Sequence, residues 1–448
     1  MSTSSRTVAE FAAGLQFEDI PADVLRRCED LLLDTLGSMF AGSTEPPVQK
    51  IAAFAEEQGP ADGRAQLIPS GKKTSPYFAA MVNAAAAHMV EQDDLHNSSV
   101  FHPACVVFPP AIAIAQDIGA SGKELLTACV VGYEVGIRVG EFLGRSHYKI
   151  FHTTATAGTI AAAVTAGRLL RLNADQMQDA LGSAGTQAAG LWEFLKTAAD
   201  SKQLHTAAAA ANGVMAASLA AKGFSGAEDI FEGEKGMGNA FSQKPRADKL
   251  VEKFGERWAL LETSFKYHAS CRHTHPAADA LWAVMQENDL AVEDIAEVET
   301  FVHQAAIDVL GAVGKPQTVH QSKFSMGTVL GVLAHNGFAG LGEFERALGD
   351  DRIDSFRQKV SMTLDPDVDA AYPEKWVGKV KVTTTDGREL DALVTDPKGD
   401  PGNTLSRNEI EAKIKRLVNY NNAGTEDDAE KIIAWTWNLE HGSSELPL

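Results

Sequence analysis

Residues 78–103 read Phe-Ala-Ala-Met-Val-Asn-Ala-Ala-Ala-Ala-His-Met-Val-Glu-Gln-Asp-Asp-Leu-His-Asn-Ser-Ser-Val-Phe-His-Pro. The first part, Phe78–Ala87, is alanine-rich and uncharged, which predicts a buried helix whose small side chains let neighbouring backbones come close. The remainder, His88–Pro103, holds three carboxylates (Glu91, Asp93, Asp94) and three imidazoles (His88, His96, His102). Ionisable groups delivered to an interior by the end of such a helix are costly unless they are paired or used. An apolar frame with an ionisable insert marks a functional centre, and the rest of the fold is read around it.

Toward the N-terminus, Val24, Leu25, Cys28, Leu31, Leu32, Thr35, Leu36 and Met39 keep helical spacing, with Pro21 and Asp23 at the expected start. Gly59–Lys73 reads as a connector. Pro109 and Pro110 are expected to open a helix over 111–117, since proline suits a first helical turn. Helices are also predicted over 125–143, 155–172, 174–184 and 202–222, so the first 260 or so residues read as all-helical.

The pattern changes near Ser264. Ile295–His303 alternates like a strand, and Trp376–Val382 and Leu390–Val394 flank an Asp386-Gly387 hairpin signal. Helix-like segments at 325–336 and 342–348 lie between them. Ser406-Arg407-Asn408-Glu409 has the form of a capping box, opening a helix through Val418 that is expected to return to the helical part. The expected fold is mostly α: a large all-helical domain (1–264 plus 404–448) with a smaller α+β lid domain (265–403) inserted.

The 448 residues are 44% hydrophobic and 22% charged, as in ordinary globular proteins, and are long enough for two domains. A net charge of -20 argues against nucleic acid and anionic membranes as partners, because both need a basic face. Cys28, Cys105, Cys129 and Cys271 are far apart with no C-x-x-C pair, which reads as a reduced, cytoplasmic chain without a zinc or iron–sulfur site. Met1–Thr7 lacks a signal-peptide core, and the Ala/Thr/Gly runs at 153–167 and 204–221 are too weakly apolar to span a membrane.

Four constellations carry candidate chemistry. In the first, Glu91, Asp93, Asp94, His96 and His102-Pro103, neighbouring buried acids raise one another's pKa and set up a proton-holding acid beside an ionised one. The plain alternative is a solvated helix end with a capping histidine; a metal at Asp94-x-His96 lacks a third ligand at a recognisable spacing. The second, Lys202-Gln203-Leu204-His205, opens an alanine-rich helix after the aromatic turn Gly190–Phe194. It reads as an anion seat, or as an exposed lysine beside a core histidine. The third, Lys266–His275, puts Lys266, Arg272 and three histidines in ten residues at the domain boundary, where clefts form. Arg272 suits a bidentate grip on a carboxylate; a structural ion-pair cluster is the rival reading. The fourth is Phe151-His152-Thr153-Thr154, in which His152 is a functional group or a cap.

In this order and spacing, these stretches resemble the MmgE/PrpD family, together with Gly190-Leu191-Trp192, Gly223-Phe224 and Glu232-Gly233. Members of that family include 2-methylcitrate dehydratase, cis-aconitate decarboxylase and iminodisuccinate epimerase. The resemblance runs from about Val8 to the C-terminal helix. It implies a helical domain, an α+β lid, a site between them, homodimers, and chemistry on small polycarboxylates without cofactor or metal. Family roles fall on His102, His152 and Lys202, with the acid position at Glu91 and its neighbours Asp93 and Asp94. The chain departs from the pattern at Leu95, where members carry threonine, and at His152-Thr153-Thr154, where they carry His-Pro-Thr.

The resulting expectation is removal or delivery of a proton next to a carboxylate. His102, tuned by Asp93 or Glu91, is the expected base, and His152 the acid or second base. Lys202, Lys266 and Arg272 hold substrate carboxylates and spread the enediolate charge, with His275, Asp94 and His96 in substrate binding. The departures favour an epimerase of the iminodisuccinate type over a 2-methylcitrate-type dehydratase or a cis-aconitate-type decarboxylase. From a different class, a non-catalytic polycarboxylate binder would keep the basic patch without needing the carboxylate–imidazole group. A pure helical scaffold leaves the central ionisable groups unexplained.

Overall fold

The protein is described from a computed structural model covering residues 3–197, 199–311 and 313–448. Its chain divides into two units, one reaching to Thr263 and resuming over Ser406–Leu448, the other Ser264–Leu405. In the first unit, the helical spacing produces α1 (Ser4–Gly14), α2 (Ala22–Ser43), α3 (Pro46–Gln58), α4 (Pro76–Met89) and α5 (Ala104–Ile118). These are followed by α6 (Gly122–Tyr148), α7 (Thr153–Leu169), α8 (Ala174–Gly185) and α9 (Ser201–Ala220). Gly59–Lys73, read as connector, includes one side of a two-residue ladder between β1 (Ala65–Gln66) and β2 (Lys73–Thr74).

Small residues fix how these helices meet. Helix α4 packs on α2, α5 and α9, and α7 packs on α6 and α9. A Cβ added at Gly42 would stand 2.0 Å from the Ala86 carbonyl oxygen, and one at Gly213 would stand 2.3 Å from Ala162 Cβ. The backbones of α2 and α4, and of α7 and α9, therefore lie too close for any side chain at those two positions. Ala79, Ala80 and Ala84–Ala87 are all fully buried.

One expectation fails here. Pro109 and Pro110 lie inside α5, which starts five residues earlier at Ala104. Every residue from Ala104 to Gln116 is buried, so tertiary burial outweighs the proline penalty of about 3 kcal/mol each. The helix start is instead fixed by Asp94, whose carboxylate accepts the Ala104 N–H at 3.0 Å. Helix α6 runs past the predicted end, with a non-helical residue at Gly144 (φ 66°).

The second unit contains α10 (His275–Glu287), β3 (Ile295–Val302), α11 (Met326–Asn336), β4 (Val360–Leu364), β5 (Gly378–Thr384) and β6 (Glu389–Val394). The strands form one sheet in the order β4-β3-β5-β6, with β3 and β4 parallel and the other pairs antiparallel. Val298, Val302, Val380 and Val382 join Leu281 and Val284 of α10 and Leu330 and Leu333 of α11 in its core. Strand β4 alternates apolar and polar residues (Val-Ser-Met-Thr-Leu) but is absent from the expected strands; it is an edge strand whose residues are half-buried or exposed.

After that unit, α12 (Arg407–Asn419) opens on the predicted capping box: Ser406 Oγ accepts from Glu409 N, and the Glu409 carboxylate accepts from Ser406 N. It packs on α2, and α13 (Glu426–Trp437), which the sequence reading did not identify, follows. Among the described residues, no helix is long and apolar enough to cross a membrane.

Candidate active site

Past the end of α4 the chain turns sharply. Glu91 takes a φ of 59°, the left-handed region that non-glycine residues seldom occupy. Two anchors hold the turn. The Gln92 carbonyl accepts from Lys413 Nζ of α12 at 2.7 Å, and that ammonium also pairs at 2.7 Å with Asp34 of α2. Farther on, His96 and Phe101 exchange backbone hydrogen bonds, and His102 N donates to Thr154 Oγ1 at 3.2 Å.

These constraints send the three carboxylates to different partners. Glu91 forms an ion pair with Lys202 at the start of α9, with both side chains buried. Asp94 accepts from Tyr133 Oη at 2.8 Å and from the α5 N-terminus, and is fully enclosed. Burial, with the adjacent Asp93 charge second, holds its carboxyl well above the usual range. Asp93 lies between two imidazoles: its Oδ2 is 2.6 Å from His88 Nδ1 and 3.3 Å from His102 Nδ1.

The histidines form a row. The His88 ring lies 4.8 Å from that of His102 and 5.5 Å from that of His152, stacked on the latter. His152 Nδ1 meets His205 Nδ1 at 3.3 Å and its ring packs on Trp192. Burial pushes His88 and His205 down to about 4 and His152 well below its ordinary value, so all three are neutral at pH 7. His102 keeps 13% of its side chain exposed, against none for His88. At the far end of the row, His205 lines a hollow of about 680 Å³ together with Gly190, Phe194, Leu204 and Asn212.

The tautomer of His102 follows from geometry. Its Nδ1 is 2.5 Å from the Asp94 carbonyl oxygen, which can only accept, so Nδ1 carries the hydrogen and the lone pair is on Nε2. When Nε2 takes a proton, the resulting imidazolium has the Asp93 carboxylate beside it. The Asp93 carboxylate is thus the counter-ion available to that ring.

Of the other candidates, His96 belongs to the first unit and Lys266, Arg272 and His275 to the second. His96 meets Ser99 Oγ at 2.9 Å and Glu262 at 3.3 Å, in a network where Arg257 also grips Glu141 at 2.7 Å. In the second unit, Arg272 forms an ion pair with Asp400 and donates to His275 Nδ1 at 3.2 Å. His275 is fully buried and its pKa is pushed well below the ordinary value by that burial, with Arg272 second. Lys266 is also completely buried.

Among the described residues, two groups place metal-ligand atoms within 4.8 Å of one another: His88, Asp93 and Cys105, and His96, Glu141 and Glu262. In both, the protein's own donors already engage the carboxylates: the imidazoles on Asp93, and Arg257 across Glu141 and Glu262. Of the groups that hold the site, Tyr133, Asp34 and Lys413 were not recognised from the sequence. Each sits in an otherwise ordinary helical pattern, so only long-range contact reveals it.

Comparison with known families bears directly on this arrangement. The MmgE/PrpD N-terminal domain matches residues 6–249, and the MmgE/PrpD C-terminal domain matches residues 268–439. The chain belongs to the MmgE/PrpD family. It is 26% identical over 416 residues to the cis-aconitate decarboxylase of Aspergillus terreus, covering 88% of this chain and 84% of the relative. The cis-aconitate decarboxylase-like protein of Aspergillus oryzae is 28% identical over 430 residues (90% and 88%). The human cis-aconitate decarboxylase is 24% identical over 439 residues (95% and 90%). These relatives support an enzyme of the MmgE/PrpD type, on the lyase side of the expectations above.

Proposed function

We propose that this protein transfers a proton at the carbon next to a carboxylate of a small di- or tricarboxylate, with His102 Nε2 as the base. The observation that carries the reading is the fixed tautomer of His102, with Asp93 poised to steady the imidazolium. Lys202 contributes positive charge for the substrate carboxylate or the enediolate, and a donor of that kind is typically worth about 3 kcal/mol or more in the transition state. His152, neutral and buried, is the second proton-handling group.

The relatives, cis-aconitate decarboxylases, favour a lyase of the decarboxylating kind over the epimerase that the departures at Leu95 and Thr153 suggested. Inversion remains a second reading because two imidazoles, His102 and His152, stand 6.5 Å apart and are able to flank one carbon. A homodimer is part of the same proposal, and sedimentation of the purified chain tests it.

The deciding experiment incubates the enzyme in deuterated water with citrate, 2-methylcitrate, cis-aconitate and iminodisuccinate, followed by proton NMR. Loss of carbon dioxide, a new alkene or an inverted centre identifies the reaction, and deuterium should enter at the α-carbon. His102→Ala should lower turnover by about 100-fold or more. Near wild-type turnover in that variant rules His102 out as the base.

A further inference from the structure

His88 takes no part in the scheme above, yet it is built into the centre of the site. It belongs to the last turn of α4, is completely buried, and places Nδ1 2.6 Å from the Asp93 oxygen that also faces His102. Among the described residues, its Nε2 is buried without a hydrogen-bond partner. A histidine retained only for packing would not leave a bare ring nitrogen in the interior, since an unsatisfied buried polar atom costs about 1–3 kcal/mol. The requirement must lie at the other nitrogen.

We infer that His88 is a positioning residue for His102, acting through Asp93 and without touching substrate. The inference rests on the proposed role of His102. Asp93 is fully buried beside a second acid, Asp94, and needs hydrogen-bond donors to stay ionised at one fixed place. His88 supplies an N–H from a rigid helix end. Because burial keeps His88 neutral, it donates that hydrogen without placing a second cation beside Lys202. Its hydrogen bond also draws charge from Oδ2, so Asp93 steadies the His102 imidazolium without taking its proton. The proton then stays on His102, ready for return to substrate or product.

The test compares three variants of the full chain. In His88→Asn the side-chain amide N–H stands where Nδ1–H stood. In His88→Gln the amide reaches the Nε2 position, and His88→Ala offers no donor. On whichever substrate the panel identifies, Ala and Gln should lower kcat by about tenfold or more with KM changed about twofold at most, while Asn should recover to within about threefold. Imidazole ¹⁵N NMR of the substrate-free protein gives a second readout that needs no turnover. There, the His102 titration should move by about half a unit or more in Ala and return in Asn. Equal losses in Asn and Gln, or an unmoved titration in Ala, overturn the inference. If Ala does not fold, the Asn and Gln comparison decides alone. A moved titration without turnover on any panel substrate leaves the positioning role standing while counting against the proposed chemistry, so the two fail separately.

Discussion

At the scale of single residues, the site is defined by which partner each acid takes. Glu91 and Lys202 form a buried ion pair, and neither has water to fall back on. Lys202→Met should therefore destabilise the protein by about 3–5 kcal/mol, because it leaves a carboxylate buried without its counter-ion. Adding Glu91→Gln should recover most of that loss, while activity stays absent in both variants. Urea unfolding of the two single variants and the double variant measures this. A double variant no more stable than Lys202→Met would show that the pair is not the coupled unit described here.

At the scale of elements, the turn after α4 is set by a helix more than three hundred residues away in sequence. Lys413 of α12 joins Asp34 of α2 to the Gln92 carbonyl, with both side chains buried. Lys413→Met removes both contacts and leaves Asp34 without its principal counter-ion. The expected result is a stability loss of about 3 kcal/mol or more and a fall in kcat larger than any rise in KM, since the turn carries Asp93. Hydrogen exchange should rise over residues 90–97, and unchanged protection there would refute the anchoring role. Elements also show where local rules gave way. Helix α5 contains a proline pair because it is buried along its length and capped by Asp94, a contact that no window of sequence contains.

At the scale of the whole molecule, buried neutral histidines set the acid response. His88, His147 and His205 are pushed down to about 4, and His152 and His275 well below their ordinary value, each mainly by burial. Free histidine titrates near 6.5, so between about pH 6.5 and 4 the unfolded chain binds protons that the folded chain refuses. Their contribution is therefore fully present above pH 6.5 and is lost on acidification toward 4. The buried acids Asp34, Asp94 and Glu134, whose pKa values are raised by burial, pull the other way. A single-residue comparison isolates the effect. His147 lies between Phe241 O and Thr156 Oγ1, outside the imidazole row, and His147→Asn does not titrate. The stability gap between wild type and this variant should shift by about 2 kcal/mol in the variant's favour between pH 7 and pH 4.5. A gap independent of pH would refute the assignment.

Local pattern alone determined the helical character of the first unit, the hairpin at Asp386-Gly387, the capping box at Ser406 and the ionisable insert after α4, because each rests on residues within one or two turns of one another. The ordered landmarks likewise sufficed for the family. Only tertiary structure decided that Asp94 caps α5 while Asp93 serves two imidazoles, that Arg272 is held by Asp400, and that His102 keeps its lone pair on Nε2. Those outcomes depend on which oxygen or nitrogen a distant helix brings within hydrogen-bond range, and at buried positions a difference of one ångström in that approach decides which atom holds the proton.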